Sequence, residues 1–131
     1  MKILCFGDSI ALGTAQQLKC RYEASVGASY TLIASWAVDP GFDAIVISMG
    51  TNPGGKTSAQ IEAIRPALQK VADKCGTARL VWILPHFIPE ASVVATFARE
   101  RGETAVSFKC TSGFHPDSYP ALGRDVMAAL A

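Results

Sequence analysis

The sequence predicts an α/β fold, a flavodoxin-like three-layer sandwich around a small parallel sheet of about five strands. Runs that read as strands alternate with runs that read as helices. The strands are near-continuously apolar, which is the mark of a parallel sheet covered on both faces. A chain of 131 residues, 50% hydrophobic, suffices for one domain with a real core and is too short for two.

The first strand is expected at Ile3 to Phe6, and Gly7 ends it. The apolar period then changes from strand-like to helix-like, so a helix is expected from about Ser9 to Cys20. Tyr22 to Val26 reads as a short second strand, followed by Gly27. Ser29 to Val38 is ambiguous and compatible with a short helix, and Asp39-Pro40-Gly41 closes it as a turn. Asp43 to Gly50 is the strongest buried strand, and a glycine-rich loop, TNPGGK, follows it.

Thr57 and Gln60 form a capping-box pattern. Ile61, Ile64, Leu68, Val71 and Cys75 then recur at helical spacing, with Pro66 expected to kink the helix and Gly76 to stop it. Ala78 to Pro85 is the fourth strand, Pro89 to Arg101 a helix, Thr104 to Phe108 a weak fifth strand, and Tyr119 to Leu130 the closing helix. No repeat, linker or low-complexity segment interrupts this order, so residues 1–131 are expected to form one domain.

Composition removes several function classes. Charged residues are 18% of the chain, the net charge is +1, and no basic block occurs, so neither a nucleic-acid footprint nor an anionic-membrane anchor is expected. All apolar runs fall far short of the ~20 residues of a membrane span. Lys2 leads directly into the first strand, so no signal peptide is expected, and the chain is expected to be cytoplasmic or virion-associated. The four cysteines, Cys5, Cys20, Cys75 and Cys110, form no C-x-x-C pair. They read as reduced structural thiols, and no metal or other cofactor is implied.

In a doubly wound sheet the site lies beyond the carboxyl ends of the strands. There the sequence supplies Gly7-Asp8-Ser9, Gly27-Ala28-Ser29, Gly50-Thr51-Asn52 and, near the end, Ser112 to Asp117. Together they hold a hydroxyl, tight glycine turns, a side-chain amide and an imidazole, the parts needed for acyl transfer. Ser9 has two readings: an N-cap of the first helix, or a nucleophile held at a helix N-terminus. His86, after the fourth strand, reads as a loop residue or a substrate contact, and Trp36 as core or as the mouth of the site.

These blocks resemble those of the SGNH hydrolases, also called GDSL-type esterases, over nearly the whole chain. The GDS turn matches Gly7-Asp8-Ser9, the oxyanion glycine after strand two is matched by Gly27, and the G-x-N block by Gly50-Thr51-Asn52. The D-x-x-H-P block is matched by Ser112 to Pro116 in all but its first residue. The resemblance implies Ser9 as nucleophile, His115 as base, and Gly27 and Asn52 as oxyanion donors. Two departures stand out: Ser112 replaces the triad aspartate, and Pro53 replaces the aspartate that often follows G-x-N. A serine cannot supply the charge that stabilises imidazolium. The alternatives are a backbone carbonyl near Ser112 orienting His115, an approach by Asp117, or a slow Ser-His dyad.

The expected function is hydrolysis of short-chain esters, with an O-acyl glycan or small-molecule ester as substrate. The competing reading is a weakly active or inactive module of the same fold that binds cell-wall or capsule glycan, including one carried on a phage particle. A nucleotide site is disfavoured, because Gly7 and Gly13 do not form G-x-G-x-x-G. Nothing in the sequence fixes the oligomeric state.

Overall fold

The computed structural model describes residues 1–131. Its elements are β1 (Ile3–Gly7), α1 (Ser9–Leu18), β2 (Arg21–Ala24), α2 (Tyr30–Ser35), β3 (Ala44–Ser48), α3 (Ser58–Glu62), α4 (Ile64–Lys74), β4 (Arg79–Ile83), α5 (Ile88–Glu100), β5 (Thr104–Val106) and α6 (Tyr119–Leu130). The strands form one parallel sheet of five, in the order β2-β1-β3-β4-β5. The fold class is therefore the expected three-layer α/β sandwich.

Strand alternation divides the core between the two faces. Leu4, Phe6, Ile45, Ile47, Leu80 and Trp82 point into the layer formed with α2, α4 and α5. Cys5, Ala44, Val46, Val81 and Ile83 point into the thinner layer formed with α1 and α6. Because the central strands are buried on both faces, their sequences carry no polar alternation. Trp82 is enclosed, its ring edge-on to Phe97 at 5.4 Å and its Nε1 donating to Glu103 at 2.9 Å. Trp36 is half-buried and packs edge-on against Phe6 at 5.7 Å, so it belongs to the margin of the core.

The predicted elements return with shifted ends. β2 begins and ends earlier than expected, and β5 is only Thr104–Val106. The ambiguous stretch does contain a helix, α2, capped by Ser29, whose hydroxyl accepts from Leu32 N–H at 3.1 Å. The long helix expected from Thr57 is two helices, broken at Ala63. Its capping box forms in both directions, Thr57 Oγ1 accepting from Gln60 N–H and Gln60 Oε1 from Thr57 N–H. Pro66 falls in the first turn of α4, where a missing N–H costs nothing. The proline thus starts a new helix where a kink was expected, and Ile61 is left only partly buried, while Ile64, Leu68, Val71 and Cys75 line the core as predicted. All four cysteines are free. Cys5 and Cys20 lie Sγ to Sγ at 3.6 Å, and sharing one S–H hydrogen bond pulls the Cys20 thiol below its ordinary range and pushes that of Cys5 up. No helix is long and apolar enough to cross a membrane.

Candidate active site

The register brings three loops out of the sheet at one level, because Gly7 pairs with both Ala24 of β2 and Ser48 of β3. At Gly7 the chain turns with φ +137°, and a Cβ there would stand 1.9 Å from the Ser48 carbonyl oxygen. Only glycine fits between the two strand ends. Asp8 N–H then donates to that same carbonyl at 3.1 Å.

The N-cap of α1 is Asp8, and this corrects the capping reading of Ser9. The Asp8 carboxylate accepts from Ile10 N–H at 3.1 Å, so Ser9 becomes the first residue of the helix. The Ser9 hydroxyl is therefore not used as a cap, and its N–H, in the first turn, has no intrahelical acceptor. Asp8 is fully buried, and its Oδ2 makes no hydrogen bond; the Ser48 side chain favours the carboxylate without reaching normal bonding geometry. Burial pushes its pKa up to about 6, against the opposing pull of Ser48 and the helix N-terminus.

This has a consequence for stability. Below about pH 4 the carboxyl is neutral in the folded and unfolded chains alike. As pH rises through the folded value, about 6, burial of the charge costs stability. Asp8→Asn keeps a good cap and removes the charge. Urea unfolding at pH 4 to 8 is expected to show the variant gaining on the wild type between pH 4 and 6, by about 1–3 kcal/mol at neutral pH. A difference that does not change with pH would mean that the carboxylate is relieved by a partner the geometry does not contain.

Ser9 Oγ lies 2.8 Å from His115 Nε2. The two residues are 106 positions apart, and the loop between β5 and α6 carries the histidine over the start of α1. For His115 to accept a proton at Nε2, its own proton must sit on Nδ1. No protein group bonds to Nδ1. The Ser112 carbonyl accepts instead from Cys110 Sγ at 3.3 Å. Asp117 is engaged by Thr111, whose N–H donates at 2.7 Å and whose hydroxyl bonds the second oxygen; these bonds hold the carboxylate below its usual range. Of the contacts considered for His115, the hydrogen bond present is the one to Ser9. The structure brings neither Ser112 nor Asp117 to His115. What the imidazole does meet is the Phe114 ring, at 4.5 Å and 35° between planes. Phe114 in turn lies near Phe87, and Phe87 near His86, so an aromatic rim runs from His115 to His86.

The Asn52 loop is tied to the Gly27 loop by a reciprocal pair of bonds. Asn52 Nδ2 donates to the Ala28 carbonyl at 3.3 Å, and Tyr30 N–H donates to the Asn52 carbonyl at 3.3 Å. One hydrogen of the Asn52 amide is thus used and the other is free. Gly27 is exposed, with φ +77°, in the turn after β2, and its N–H has no partner in the protein. The same turn is anchored to the first block by Ser25 N–H donating to the Gly7 carbonyl at 3.0 Å.

An open groove of about 340 Å³ runs from Ser9 along α1. Gly13, Gln16, Val26 and Tyr119 line it, and no charged side chain does. A Cβ on Gly13 would strike the Tyr119 ring at 2.3 Å, so the glycine is what lets that ring lie on the helix. Helical spacing places Ser9, Gly13 and Gln16 on one face of α1 and so signals part of this groove, whereas Val26 and Tyr119 carry no such signal.

Several solved structures share this architecture. A member of the lipolytic protein G-D-S-L family from Veillonella parvula is 16% identical and matches with a TM-score of 0.67 over 98% of this chain and 97% of its own. A carbohydrate esterase family 2 enzyme with a carbohydrate binding domain, from Corynascus thermopiles (Myceliophthora fergusii), is 18% identical, with a TM-score of 0.63 over 98% of this chain and 66% of its own. An acetyl xylan esterase from the rumen bacterium Butyrivibrio proteoclasticus is 13% identical, with a TM-score of 0.53 over 98% of this chain and 61% of its own. No family model matches the sequence, and no curated protein matches it. The fold is thus the one the SGNH resemblance implied, shared with esterases, and at these identities the likeness is one of fold.

Proposed function

We propose that the protein is a serine carboxylic-ester hydrolase acting on short-chain esters, with an O-acyl group on a glycan or small molecule as its substrate. The observation that carries this reading is the 2.8 Å contact between Ser9 Oγ and His115 Nε2 at the start of α1. Ser9 Oγ attacks the ester carbonyl as His115 Nε2 takes its proton. The tetrahedral oxyanion is held by the Ser9 and Gly27 N–H groups and the free hydrogen of Asn52 Nδ2. His115 returns the proton to the leaving alcohol oxygen, and the C–O bond breaks to leave an acyl-Ser9 ester. Water, deprotonated by the same imidazole, then releases the acid and restores Ser9.

Two features support the substrate class. The groove beside Ser9 is open and uncharged, with an amide and a phenol suited to hydroxyl groups. Two of the solved neighbours are a carbohydrate esterase and an acetyl xylan esterase. The test is labelling with a fluorophosphonate, expected at Ser9, together with turnover of p-nitrophenyl esters from acetate to palmitate, expected to fall with chain length. No label at Ser9 and no turnover would overturn the reading.

The open Nδ1 of His115 favours one second reading, a catalytically weak module that binds glycan. A carbohydrate esterase whose active site displays divergent catalytic and non-catalytic binding functions also has this fold, at 14% identity and a TM-score of 0.56. Glycan binding without turnover would select it.

Ser112 bears on the dyad directly, because its side chain forms no hydrogen bond and its carbonyl is taken by Cys110. Ser112→Ala is therefore expected to keep turnover within about tenfold of wild type, a barrier change of about 1.4 kcal/mol or less. A loss as severe as in His115→Ala would give the hydroxyl a direct role.

A further inference from the structure

The loop that carries Asn52 contains a charge pair that stability alone does not explain. The Lys56 side chain is 1% exposed and that of Glu90 is 8% exposed. Lys56 Nζ stands 3.4 Å from Glu90 Oε2 and donates to the Thr51 carbonyl at 3.0 Å. Desolvating two charges is expensive, and apolar residues of similar size often serve stability as well or better. A buried pair kept at this position therefore points to what it holds. Pro53, Gly54 and Gly55 are exposed, and the two glycines add no side chain that would anchor the segment. Asn52 itself is held by two long hydrogen bonds at 3.3 Å, to the Ala28 carbonyl and from Tyr30 N–H, so the Lys56 bond to the neighbouring Thr51 carbonyl is the short tie of this loop.

We propose that Lys56 is a positioning residue: held by Glu90 on α5, its buried ammonium clamps the Thr51 carbonyl and so fixes the loop that presents Asn52. The chain of contacts runs from α5 through Glu90 and Lys56 to Thr51, the residue before Asn52. Glu90 lies in the first turn of α5, where the helix N-terminus favours a carboxylate. Thr51 is itself buried, and its hydroxyl has no partner, so the link to Lys56 passes through its carbonyl. The ion pair ties the loop after β3 to a helix that packs against α4 and β5. This inference rests on the reading of Asn52 as an oxyanion donor.

The test uses the full chain and four proteins: wild type, Lys56→Met, Asn52→Ala and the double variant. Turnover of p-nitrophenyl acetate by Lys56→Met is expected to fall about tenfold in kcat, with KM changed less than about twofold. In the Asn52→Ala background the same change is expected to cost less than about twofold, because the residue acts through Asn52. Hydrogen exchange reads the clamp without any need for turnover. The Tyr30 amide, which donates to the Asn52 carbonyl, is expected to exchange at least about tenfold faster in Lys56→Met, while amides of β1, β3 and β4 keep their protection. Additive losses in the double variant would overturn the proposal, as would unchanged exchange at Tyr30. If the wild type hydrolyses no ester, the hydrolase reading falls and exchange alone decides whether the clamp exists. If Lys56→Met does not fold, Glu90→Gln, which keeps the lysine and weakens its hold, is expected to shift kcat and Tyr30 exchange in the same direction by a smaller factor, and no shift in either would overturn the clamp.

Discussion

Ser9→Ala is expected to bring ester hydrolysis close to the uncatalysed background while leaving the protein folded. The two halves of this result have separate causes. Chemistry is lost because Oγ is the atom that would form the acyl bond. In a serine protease, removing the nucleophile costs on the order of 10⁶ in kcat. A dyad without a carboxylate starts from a slower rate, so the measurable fall here is smaller, of order 10³ or more, limited by background hydrolysis. Stability is kept because the helix is capped by Asp8, and the only hydrogen bond of the Ser9 hydroxyl is to His115. A surface change of this kind alters stability by about 0.5 kcal/mol or less. Steady-state turnover and a urea midpoint measured on the same preparation test both halves. A folded Ser9→Ala protein with wild-type turnover would make Ser9 an ordinary first-turn residue and end the proposed mechanism.

The second largest effect is expected at Asn52. Loss of one oxyanion donor elsewhere costs ~10²–10³ in kcat, and Asn52→Ala is expected to fall in that range, with a smaller change in KM. The fall appears in kcat because the donor meets full negative charge only in the transition state. The variant also loses the bond from Nδ2 to the Ala28 carbonyl, so some loosening of the turn after β2 accompanies it. Tyr30 N–H bonds to the Asn52 carbonyl, a backbone group that the substitution retains. An unchanged kcat in the folded variant would leave Asn52 as no more than a tie between two loops.

Much of this molecule was legible in the sequence because its sheet is buried on both faces. Continuous apolar runs at Ile3 to Phe6, Asp43 to Gly50 and Ala78 to Pro85 mark the three central strands, and the last helix falls at Tyr119–Leu130 as expected. The edge strands β2 and β5 were less legible, since short, partly exposed strands carry a weaker pattern. The cap of α1 was readable in principle, as Asp8 is as good a capping residue as Ser9 and stands before it. The order of blocks pointed to Ser9 and His115 together, and the structure places them in contact. The surroundings of His115 Nδ1 were beyond a one-dimensional reading, because they depend on how the 107–118 loop closes on Thr111 and Asp117. The pair Lys56 and Glu90, 34 positions apart, left no signal either, since both residues are ordinary where they stand in the sequence.

The close approach at Gly7 divides the first motif by the kind of selection each of its residues would feel. Any side chain at position 7 would collide with the Ser48 carbonyl, whatever the protein does. Asp8 holds the start of a helix, another requirement of folding. On the hydrolase reading proposed above, the serine is the one residue of the three whose constraint would come from chemistry. A descendant of this chain that had lost catalysis would thus be free to drift at positions 9 and 115 while the glycine stayed locked. A glycine and an acid after the first strand therefore diagnose an architecture, and the hydroxyl that follows them, together with a distant imidazole, has to be weighed separately as the sign of an enzyme.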